Sequence, residues 1–451
     1  MSVQRVAKLS AVAVAAVGSL SGCFWSQPGF RPARTRYNPN ETVLTAASMA
    51  DLHEKWSAEF PNAAPSEIVT DGSRLYMTTS FVAAGKLGVA VEARDPGSGQ
   101  QLWSQTLSQP TVGRPLGVAV SGDHLALAYN NGGADPNCAT AASLDPATGA
   151  VLHSAPSGLP ASPMVTSGST VARLVKDTCS TTLSTLVVED RDTMATLWTA
   201  PVGPVAGAEG DLVVADGRIY VSTGSSLSAF ALGGCGASTC PPLWTKNTGS
   251  TSTKLWGRAP DGTLVVSSVV TLRPPDPNIP GDPGSFFSVV SALDGGTGNS
   301  VRRSEIHGDH APDDPSEQAN VNGVVIAGDT LGVTATRSTA TPFVSSHDLV
   351  AIPSTGCGQA VCAAAWSAPL GGEGQQVSGA GEVIYLLVGD PATGLGQLEA
   401  FARDGCGAAV CSALTSVPLE GGPEHLSISA GRVFVVTFGP TGRTLHAFGV
   451  G

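Results

Sequence analysis

The sequence predicts an all-β protein whose four-stranded antiparallel sheets repeat around a ring, as in a β-propeller. Residues 210–245 contain four short runs rich in Val, Ile, Leu, Thr and aromatic residues, and Gly, Asp or Pro ends each run. This pattern is typical of four strands joined by tight turns. Its outline returns along most of the chain. Because a single sheet of this size is marginal in water, the copies are expected to stack on one another.

Composition supports the same class. The 451 residues include 55 Gly and 32 Pro, which supply turns, and 42% of the residues are hydrophobic, which is ample for packing between sheets. Charged residues make up only 13% of the chain, and the net charge is -12 at pH 7. Phosphate binding needs a basic surface, so no nucleic-acid partner is expected.

Eight copies of one turn-and-strand signature predict eight blades. Each copy has a turn containing Gly, followed by alternating hydrophobic residues. The copies begin at Gly72, Gly122, Gly168, Asp216, Asp261, Gly328, Gly381 and Gly431. The third copy is degenerate, because its later segment 187–198 lacks the turn glycine. Seven blades is the alternative, if that copy is a decorated connection and not a sheet.

A second motif joins the third and fourth strands of a repeat. In the first copy the pattern Ala-x-Asp-x-x-x-Gly-x-x-x-Trp is formed by Ala93, Asp95, Gly99 and Trp103. It predicts a hairpin whose indole covers the seam to the next sheet. The tryptophans expected to dock blades in this way are Trp56, Trp103, Trp198, Trp244 and Trp366. In the remaining copies the Trp position holds His153, Arg302 or Thr415.

The two ends of the chain are expected to share one sheet. Residues 52–60, which include Trp56, have the pattern of a fourth strand without the three strands before it. The eighth copy stops at Gly451 before any fourth strand. The sequence therefore predicts a propeller domain over residues 49–451 in which the N-terminal strand completes the last blade and removes an open sheet edge.

These repeats resemble those of the quinoprotein-like β-propellers, which include PQQ-type repeat proteins and an outer-membrane assembly lipoprotein of the same fold. The resemblance covers nearly all of the chain after residue 50. Members that carry the quinone use an adjacent-cysteine pair, a stacking Trp and a calcium site beside a catalytic Asp. This sequence has no adjacent cysteines and no match for the calcium set.

We therefore expect a non-catalytic binding or scaffold module for an envelope protein or glycan, with no catalytic residue and no cofactor. A PQQ-dependent dehydrogenase, with PQQ and calcium, is the alternative that the resemblance implies. The sequence also lacks a Gly-x-Ser-x-Gly elbow, a His-Glu-x-x-His motif and a phosphate-binding loop.

The N-terminus has the features of a lipoprotein signal peptide. Arg5 and Lys8 precede an apolar run over residues 9–20, and the box Leu-Ser-Gly-Cys ends at Cys23. The run is too short to span a hydrocarbon core of roughly 30 Å. We expect cleavage after residue 22 and lipid on Cys23. This would anchor the protein outside the cytoplasm, in the outer leaflet of the bacterial cell membrane or in the outer membrane. An ordinary signal peptide cut elsewhere is the alternative.

Residues 23–48 are rich in Pro, Arg, Asn and Ser and show no hydrophobic period. They are predicted to form a flexible, lipid-anchored tether. Arg31, Arg34 and Arg36 are either solvated or in contact with anionic lipid headgroups.

Eight of the nine cysteines remain for pairing once Cys23 carries lipid. Six of them occur in three copies of the frame Gly-Cys-Gly-x-x-x-Cys, which predicts disulfides across hairpin tips. The expected pairs are Cys235 with Cys240, Cys357 with Cys362, and Cys406 with Cys411. Zinc binding is the alternative for these pairs. By elimination, Cys138 is expected to pair with Cys179.

Two loops interrupt the repeat between its fifth and sixth copies. Residues 273–284 are rich in proline, and residues 305–317 are acidic. The acidic loop contains His307, Asp309, His310, Asp313 and Asp314. Such side chains suit a divalent metal or a cationic partner, and a solvated acidic loop is the alternative. Both loops are predicted contact elements.

Overall fold

The computed structural model describes residues 25–451, except 67, 84–85, 109–116, 131–138, 161, 163, 177–182, 205–210, 251, 274–284, 308–317, 341–342, 360 and 391. One 3-10 helix, Ala46–Asp51, is present in these ranges, and the other regular elements are strands. In this part of the chain, no helix is long and apolar enough to cross a membrane. The all-β prediction is confirmed.

The strands form antiparallel groups, most of them four-stranded, which we number 1 to 8 in chain order. In groups 1 and 3, two short strands take the place of the first strand. Before group 1 come β1 (Tyr37–Asn38) and β2 (His53–Phe60). Group 1 contains β3 (Ala63–Pro65), β4 (Val69–Thr70), β5 (Leu75–Ala83), β6 (Lys86–Arg94) and β7 (Gln101–Ser108). Group 2 contains β8 (Val118–Ser121), β9 (His124–Asn130), β10 (Ala139–Leu144) and β11 (Val151–Ser157). Group 3 contains β12 (Leu159–Pro160), β13 (Val165–Ser167), β14 (Thr170–Lys176), β15 (Leu183–Asp190) and β16 (Thr196–Pro204).

The next groups repeat this arrangement. Group 4 contains β17 (Asp211–Ala215), β18 (Arg218–Ser222), β19 (Ser226–Ala231) and β20 (Trp244–Asn247). Group 5 contains β21 (Lys254–Arg258), β22 (Thr263–Arg273), β23 (Ser285–Asp294) and β24 (Ser300–Ile306). Group 6 contains β25 (Gln318–Ala327), β26 (Thr330–Ala340), β27 (Phe343–Pro353) and β28 (Trp366–Pro369). Group 7 contains β29 (Glu373–Ala380), β30 (Val383–Gly389), β31 (Gly396–Ala402) and β32 (Thr415–Leu419). Group 8 contains β33 (Gly422–Ser429), β34 (Arg432–Gly439) and β35 (Gly442–Gly449).

The N-terminal strand closes the ring. β2 pairs antiparallel with β35 and becomes the fourth strand of group 8, with Trp56 opposite Ala447. Side chains of group 8, such as Phe434, pack with Leu75 and Met77 of group 1 in one apolar cluster. The degenerate third copy forms a sheet of its own. Groups 5 and 6 are joined into one eight-stranded sheet by a parallel bridge between Phe286 and Gln318, so the exact number of blades remains a prediction.

Burial is greatest in the second strands of the groups and least in the fourth strands. The first strands of neighbouring groups contact one another around the ring, so they line its axis. The second strands lie between neighbouring sheets, and β30 is buried at every position. The fourth strands are mostly exposed, as β11 illustrates. Hydrophobic burial between faces of adjacent groups therefore holds the ring together.

The predicted tryptophans lie at the seams between groups. Each packs on a turn glycine of the next group, where an added Cβ would be 2.5 to 2.8 Å from the indole. The tryptophan–glycine pairs are Trp56–Gly99, Trp103–Gly149, Trp198–Gly234, Trp244–Gly298 and Trp366–Gly405. Four of the indole N–H groups, those of Trp56, Trp103, Trp198 and Trp244, donate to a backbone carbonyl of the next group at 3.1 to 3.2 Å. Aromatic area and one hydrogen bond thus fix each of these seams.

The first hairpin motif has the geometry expected of it. Asp95 accepts hydrogen bonds from the amides of Gly97 and Ser98 and from the Ser98 hydroxyl, at 2.8 to 3.0 Å. Ala93 is fully buried opposite Trp103. These bonds define the turn that presents Gly99 to the indole.

Arginine replaces tryptophan at one seam. Arg302 of group 5 lies against Gly356 of group 6, where an added Cβ would be 3.2 Å from its Cδ. Its guanidinium is 3.0 Å from the carboxylate of Asp261. The stem of the arginine therefore covers the turn glycine while its charge is paired. His153, in the equivalent position of group 2, is exposed on β11.

The N-terminal segment differs from the prediction of a flexible tether. Residues 25–44, which we call the strap, follow the first strands around the ring and bond to every group. The strap acceptors and their donors are Trp25 O with Thr70 N, Ser26 O with Val120 N, Gln27 Oε1 with Thr166 N, Pro32 O with Val214 N, Ala33 O with Arg258 N, Thr35 O with Ile326 N, Arg36 O with Gly379 N, and Glu41 Oε2 with Gly431 N. These distances are 2.7 to 3.1 Å.

The strap is bound to the sheets because the first strands have unpaired edges. Each first strand has one edge without a neighbouring strand in its own sheet, and its amides need acceptors once the ring has formed. The strap supplies them, and β1 adds a short parallel pairing with β29. Trp25, Phe30 and Leu44 are fully buried, so the strap also contributes to the core. Residues 23 and 24 lie outside the described residues.

Three glycines make room for the strap. An added Cβ at Gly257 would be 2.7 Å from the carbonyl oxygens of Ala33 and Arg34. At Gly381 it would be 2.7 Å from the carbonyl oxygen of Glu41. At Gly379 it would be 2.9 Å from the Tyr37 ring. The sheets therefore carry residues without side chains where the strap passes.

Candidate functional site

A polar cavity lies at the axis, where the first strands of groups 4 to 7 meet. Its volume is about 490 Å³. The residues that line it, which we call the axial pocket, are Arg34, Arg36, Asp211, Ser222, Gly224, Ser252, Thr253, Lys254, Leu255, Trp256, Asn322, Gly323, Gln375, Gln376 and Val377. Arg34 and Arg36 belong to the strap, which thus forms one wall of the pocket.

The axial pocket continues into a cleft of about 530 Å³. The cleft is lined by Ser252, Lys254, Ser267, Ser268, Val269, Ser288, Asn320, Val321, Asn322, Glu373, Gly374 and Gln375. Four residues, Ser252, Lys254, Asn322 and Gln375, line both cavities. The two cavities therefore adjoin each other.

Strand direction separates the cleft from the strap. In β29, Glu373 lies at the cleft and Gly379 donates to the strap. In β25, Asn320 lies at the cleft and Ile326 donates to the strap. Six residues of strand span about 20 Å. The cleft and the strap therefore lie towards opposite ends of the first strands.

Ion pairing at the pocket links the strap to the sheets. The guanidinium of Arg34 is 3.5 Å from the carboxylate of Asp211, and the same carboxylate accepts a 2.9 Å hydrogen bond from the Leu255 amide. The Lys254 ammonium is 5.5 Å from the centroid of the Trp256 ring, within cation–π range. The Trp256 N–H donates to Ser267 Oγ at 2.8 Å.

The charge of the two cavities contrasts with that of the chain. Arg34, Arg36 and Lys254 face the combined space together with two carboxylates, Asp211 and Glu373. The whole chain has a net charge of -12. The pocket is thus a locally cationic site in an acidic protein, which favours an anionic or polar ligand.

Several polar side chains at the cleft have unused hydrogen-bonding capacity. Within the part of the chain that the structure describes, Ser252, Ser268, Asn320 and Gln375 make no side-chain hydrogen bond. Each is at least partly accessible. Hydroxyl and amide groups of this kind can donate and accept at the same time. The arrangement is suited to a ligand that carries many hydrogen-bonding groups.

The sequence did not predict this site. Its residues are ordinary polar side chains spread over several strands and the strap, and they share no motif. One available signal was the unusual content of Ser, Asn and Gln in first strands that are otherwise apolar, as in the segments Gln-Ala-Asn-Val-Asn and Glu-Gly-Gln-Gln.

The three predicted hairpin disulfides are present, and they do more than close a turn. Their Cα–Cα distances are 5.6, 5.7 and 5.6 Å. The amides of Cys240, Cys362 and Cys411 donate to Thr199, Arg303 and Ser367, respectively, at 2.8 to 3.0 Å. Each acceptor lies on the fourth strand of the preceding group. Each loop therefore clasps a seam, namely 3–4, 5–6 or 6–7.

Other predicted site residues fall elsewhere. His307 stacks on Phe287 with ring centroids 4.6 Å apart, and it is 3.0 Å from a Glu305 carboxylate oxygen. Among the described residues, no group of three or more His, Cys, Asp or Glu side chains is placed to hold a metal ion. The predicted residues outside the described ranges are Cys23, Cys138, Cys179, Asp309, His310, Asp313 and Asp314.

Comparison with solved structures supports the propeller fold. No family model and no curated protein sequence matches the chain. The quinohemoprotein alcohol dehydrogenase ADHIIG of Pseudomonas putida HK5 matches with a TM-score of 0.61 and 12% identity, over 96% of this chain and 80% of that one. A europium-containing methanol dehydrogenase matches with a TM-score of 0.59 and 12% identity, over 95% and 98%.

A propeller of another kind is similar too. The C-terminal WD40 domain of Sif2 matches with a TM-score of 0.53 and 10% identity, over 89% of this chain and 98% of that domain. Likenesses at this level of identity show the fold that the chain shares with quinoprotein dehydrogenases and WD40 proteins. Function has to be argued from the site.

Proposed function

We propose that this chain is a non-catalytic, lipid-anchored β-propeller of the bacterial cell envelope that binds a protein or glycan in its axial pocket. The observation that carries the proposal is the pocket itself, which opens into a polar cleft and has the chain's own strap as one wall. Asp211 is engaged by Arg34 and by the Leu255 amide, so it serves to hold the wall in place.

The position of the strap determines which end of the ring would face the membrane. Trp25 is fully buried, and its carbonyl accepts a 2.7 Å hydrogen bond from Thr70. The predicted lipid site, Cys23, precedes it by two residues, which span at most about 7 Å. A lipid on Cys23 would hold the strap side of groups 1 and 2 near the membrane surface. The cleft, at the other end of the first strands, would face away from it.

The anchor is tested by fractionation and mass measurement. Protein from membranes is expected to lack residues 1–22 and to carry a diacylglycerol on Cys23, whereas Cys23→Ala protein is expected in the soluble fraction. Cleavage at another position with an unmodified Cys23 would contradict the anchor.

Partner capture tests the binding role. A photocrosslinker at Asn320, in the cleft, is expected to capture an envelope component in native membranes. The matched position Ser104, exposed on the outer strand β7, is expected to capture none. Equal capture at the two positions would reject the cleft as the binding site.

A PQQ-dependent dehydrogenase is the alternative, and the shared fold is its support. The residues that line the axial pocket do not fit the set that the resemblance implies. Its carboxylate Asp211 is paired with Arg34, and the Trp256 face carries the Lys254 ammonium. The test is reconstitution with PQQ and calcium, followed by dye reduction against alcohols and sugars. We expect no turnover, and stoichiometric quinone binding with turnover would replace our proposal.

A further inference from the structure

We propose that the axial pocket and its cleft bind an acidic oligosaccharide, a sugar chain that carries carboxylates. The inference rests on the proposed binding function and narrows its ligand to one chemical class. Three observations support it: the polarity of the walls, the sign of their charge, and the position of the strap.

The walls are unusually polar for a ligand site. Most ligand pockets are lined chiefly by hydrophobic and aromatic side chains. Here the twelve residues of the cleft include four Ser, two Asn and one Gln, together with Lys254 and Glu373. Protein partners rely on buried aromatic and aliphatic anchors, and the apolar side chains among the residues that line the cleft are those of Val269 and Val321. A sugar chain presents hydroxyl groups along its whole length and matches these walls better.

Unused hydrogen-bonding groups are placed to receive those hydroxyls. Ser252 and Gln375 lie at the junction of the pocket and the cleft, and Ser268 and Asn320 lie on the cleft walls. A ligand that buried these groups without hydrogen-bonding to them would lose binding free energy. A sugar can both donate hydrogen bonds to them and accept hydrogen bonds from them.

The positively charged side chains of the walls favour a sugar that carries carboxylates. Lys254 stands where the pocket and the cleft meet, with its ammonium over the Trp256 ring. Arg36 and Arg34, of which Arg34 is paired with Asp211, line the pocket from the strap side. A sugar carboxylate placed between Lys254 and the strap would form charge-assisted hydrogen bonds, which are stronger than those between neutral groups.

The strap also restricts how the ligand enters. It bonds to first strands of the groups around the pocket at 2.8 to 3.0 Å, through the amides of Val214, Arg258, Ile326 and Gly379. A chain therefore enters from the cleft, and its end or a side branch occupies the axial pocket.

Calorimetric titration of the purified full chain tests the proposal. The probes are tetragalacturonic acid and its fully methyl-esterified form, which differ only in charge and the ester methyl groups. We expect the acid to bind at least about ten-fold more tightly than the ester, the effect of losing one charge-assisted hydrogen bond. The difference should shrink as salt is raised, because the charges are accessible.

Matched variants locate the site. Lys254→Gln is expected to weaken binding of the acid about ten-fold and to leave binding of the ester nearly unchanged. Gln375→Ala is expected to weaken binding of both probes. Lys246→Gln makes the same change of charge on the exposed outer strand β20 and is expected to have no effect.

Three results would overturn the proposal. They are equal affinity for the acid and the ester, no binding of either probe at about 10 mM, and equal effects of Lys254→Gln and Lys246→Gln. In each case, a protein captured at Asn320 would leave the wider binding role intact. Quinone-dependent turnover would instead reject that role, so the two failures are distinguishable.

Discussion

Two halves of the ring axis differ in what the strap does there. Beside groups 7, 8, 1 and 2, the strap buries large apolar side chains, and Trp25, Phe30 and Leu44 lie in one cluster with the strands of these groups. Beside groups 4 to 7, the strap presents Arg34 and Arg36 to a cavity. One segment thus fills one half as core and lines a polar cavity in the other.

The seams between groups also differ, because some of them carry a disulfide clasp. The disulfide clasps of the described residues lie at seams 3–4, 5–6 and 6–7. These seams lie within or beside groups 4 to 7, which we call the polar half, where the strap adds little apolar burial. At these seams the clasps add to apolar packing between the sheets, because Cys240, Cys362 and Cys411 belong to buried apolar clusters. A cavity can be kept open where other bonds hold the sheets.

Replacing a strap tryptophan is expected to have the largest effect. Trp25→Ala should lower the free energy of unfolding by about 3 to 5 kcal/mol, because it leaves a cavity in the apolar half. Trp256→Ala, in the polar half, removes a half-buried ring and should cost clearly less. Urea denaturation of both variants provides the measurement. Equal losses would show that the two halves do not differ in packing.

Adding a methyl group under the strap should have the next largest effect. Gly257→Ala places a Cβ against two strap carbonyl oxygens and is expected to cost about 1 to 3 kcal/mol. Proteolysis should then cut the strap faster. At Gly371 an added Cβ has no atom within 4 Å, so Gly371→Ala is the control. If both substitutions were silent, the strap would not be tightly seated.

Loss of a clasp should act locally. The double variant Cys235→Ala with Cys240→Ala is expected to lose at most about 2 to 3 kcal/mol, since the closed loop is short. Hydrogen exchange should increase in β16 and β20, which flank seam 3–4. The seam covered by Trp56 should keep its protection. A uniform increase around the ring would contradict a local clasp.

Acid should weaken the hairpin turns slightly. A hydrogen bond from the hydroxyl of a Ser or Thr three residues on holds the pKa of each of four turn carboxylates below its usual range, namely Asp95, Asp190, Asp294 and Asp390. Because the folded-state pKa lies below the unfolded one, these carboxylates contribute stability above the unfolded pKa, and the contribution is lost as the pH falls through the folded pKa. The groups are exposed, so the effect should be small. Asp95→Asn should flatten the decline in unfolding midpoint between about pH 5 and pH 2, and an unchanged slope would contradict this origin.

Sequence reasoning could find the sheets but not the strap. The turn signature, the Trp56 strand and the paired cysteines are local patterns whose meaning does not depend on distant residues. The strap has no period of its own, because its hydrogen bonds go to amides of eight separate groups. Its burial exists only once the ring has formed. The signals that were present were Trp25 and Phe30 in a stretch otherwise rich in Pro and Arg.

The axial pocket was hidden for a related reason. Lys254, Asn322 and Gln375 are ordinary residues in the sequence and meet only because their strands are neighbours around the axis. The prediction instead favoured the loops that interrupt the repeat, since departures from a pattern are visible in a sequence. A site formed by ordinary residues from separate repeats leaves no such pattern in the sequence.

Amide hydrogen exchange of the full chain tests the central claim most directly, namely that residues 25–44 are a seated part of the ring. The amides to follow are those of Val120, Val214 and Ile326, which donate to the strap at 2.7 to 2.8 Å. They should exchange as slowly as amides inside the sheets, and Gly257→Ala should speed exchange at Val214 and Ile326 more than at Val120. Exchange at the rate of exposed loops in the unmodified protein would show instead that the segment is a free tether.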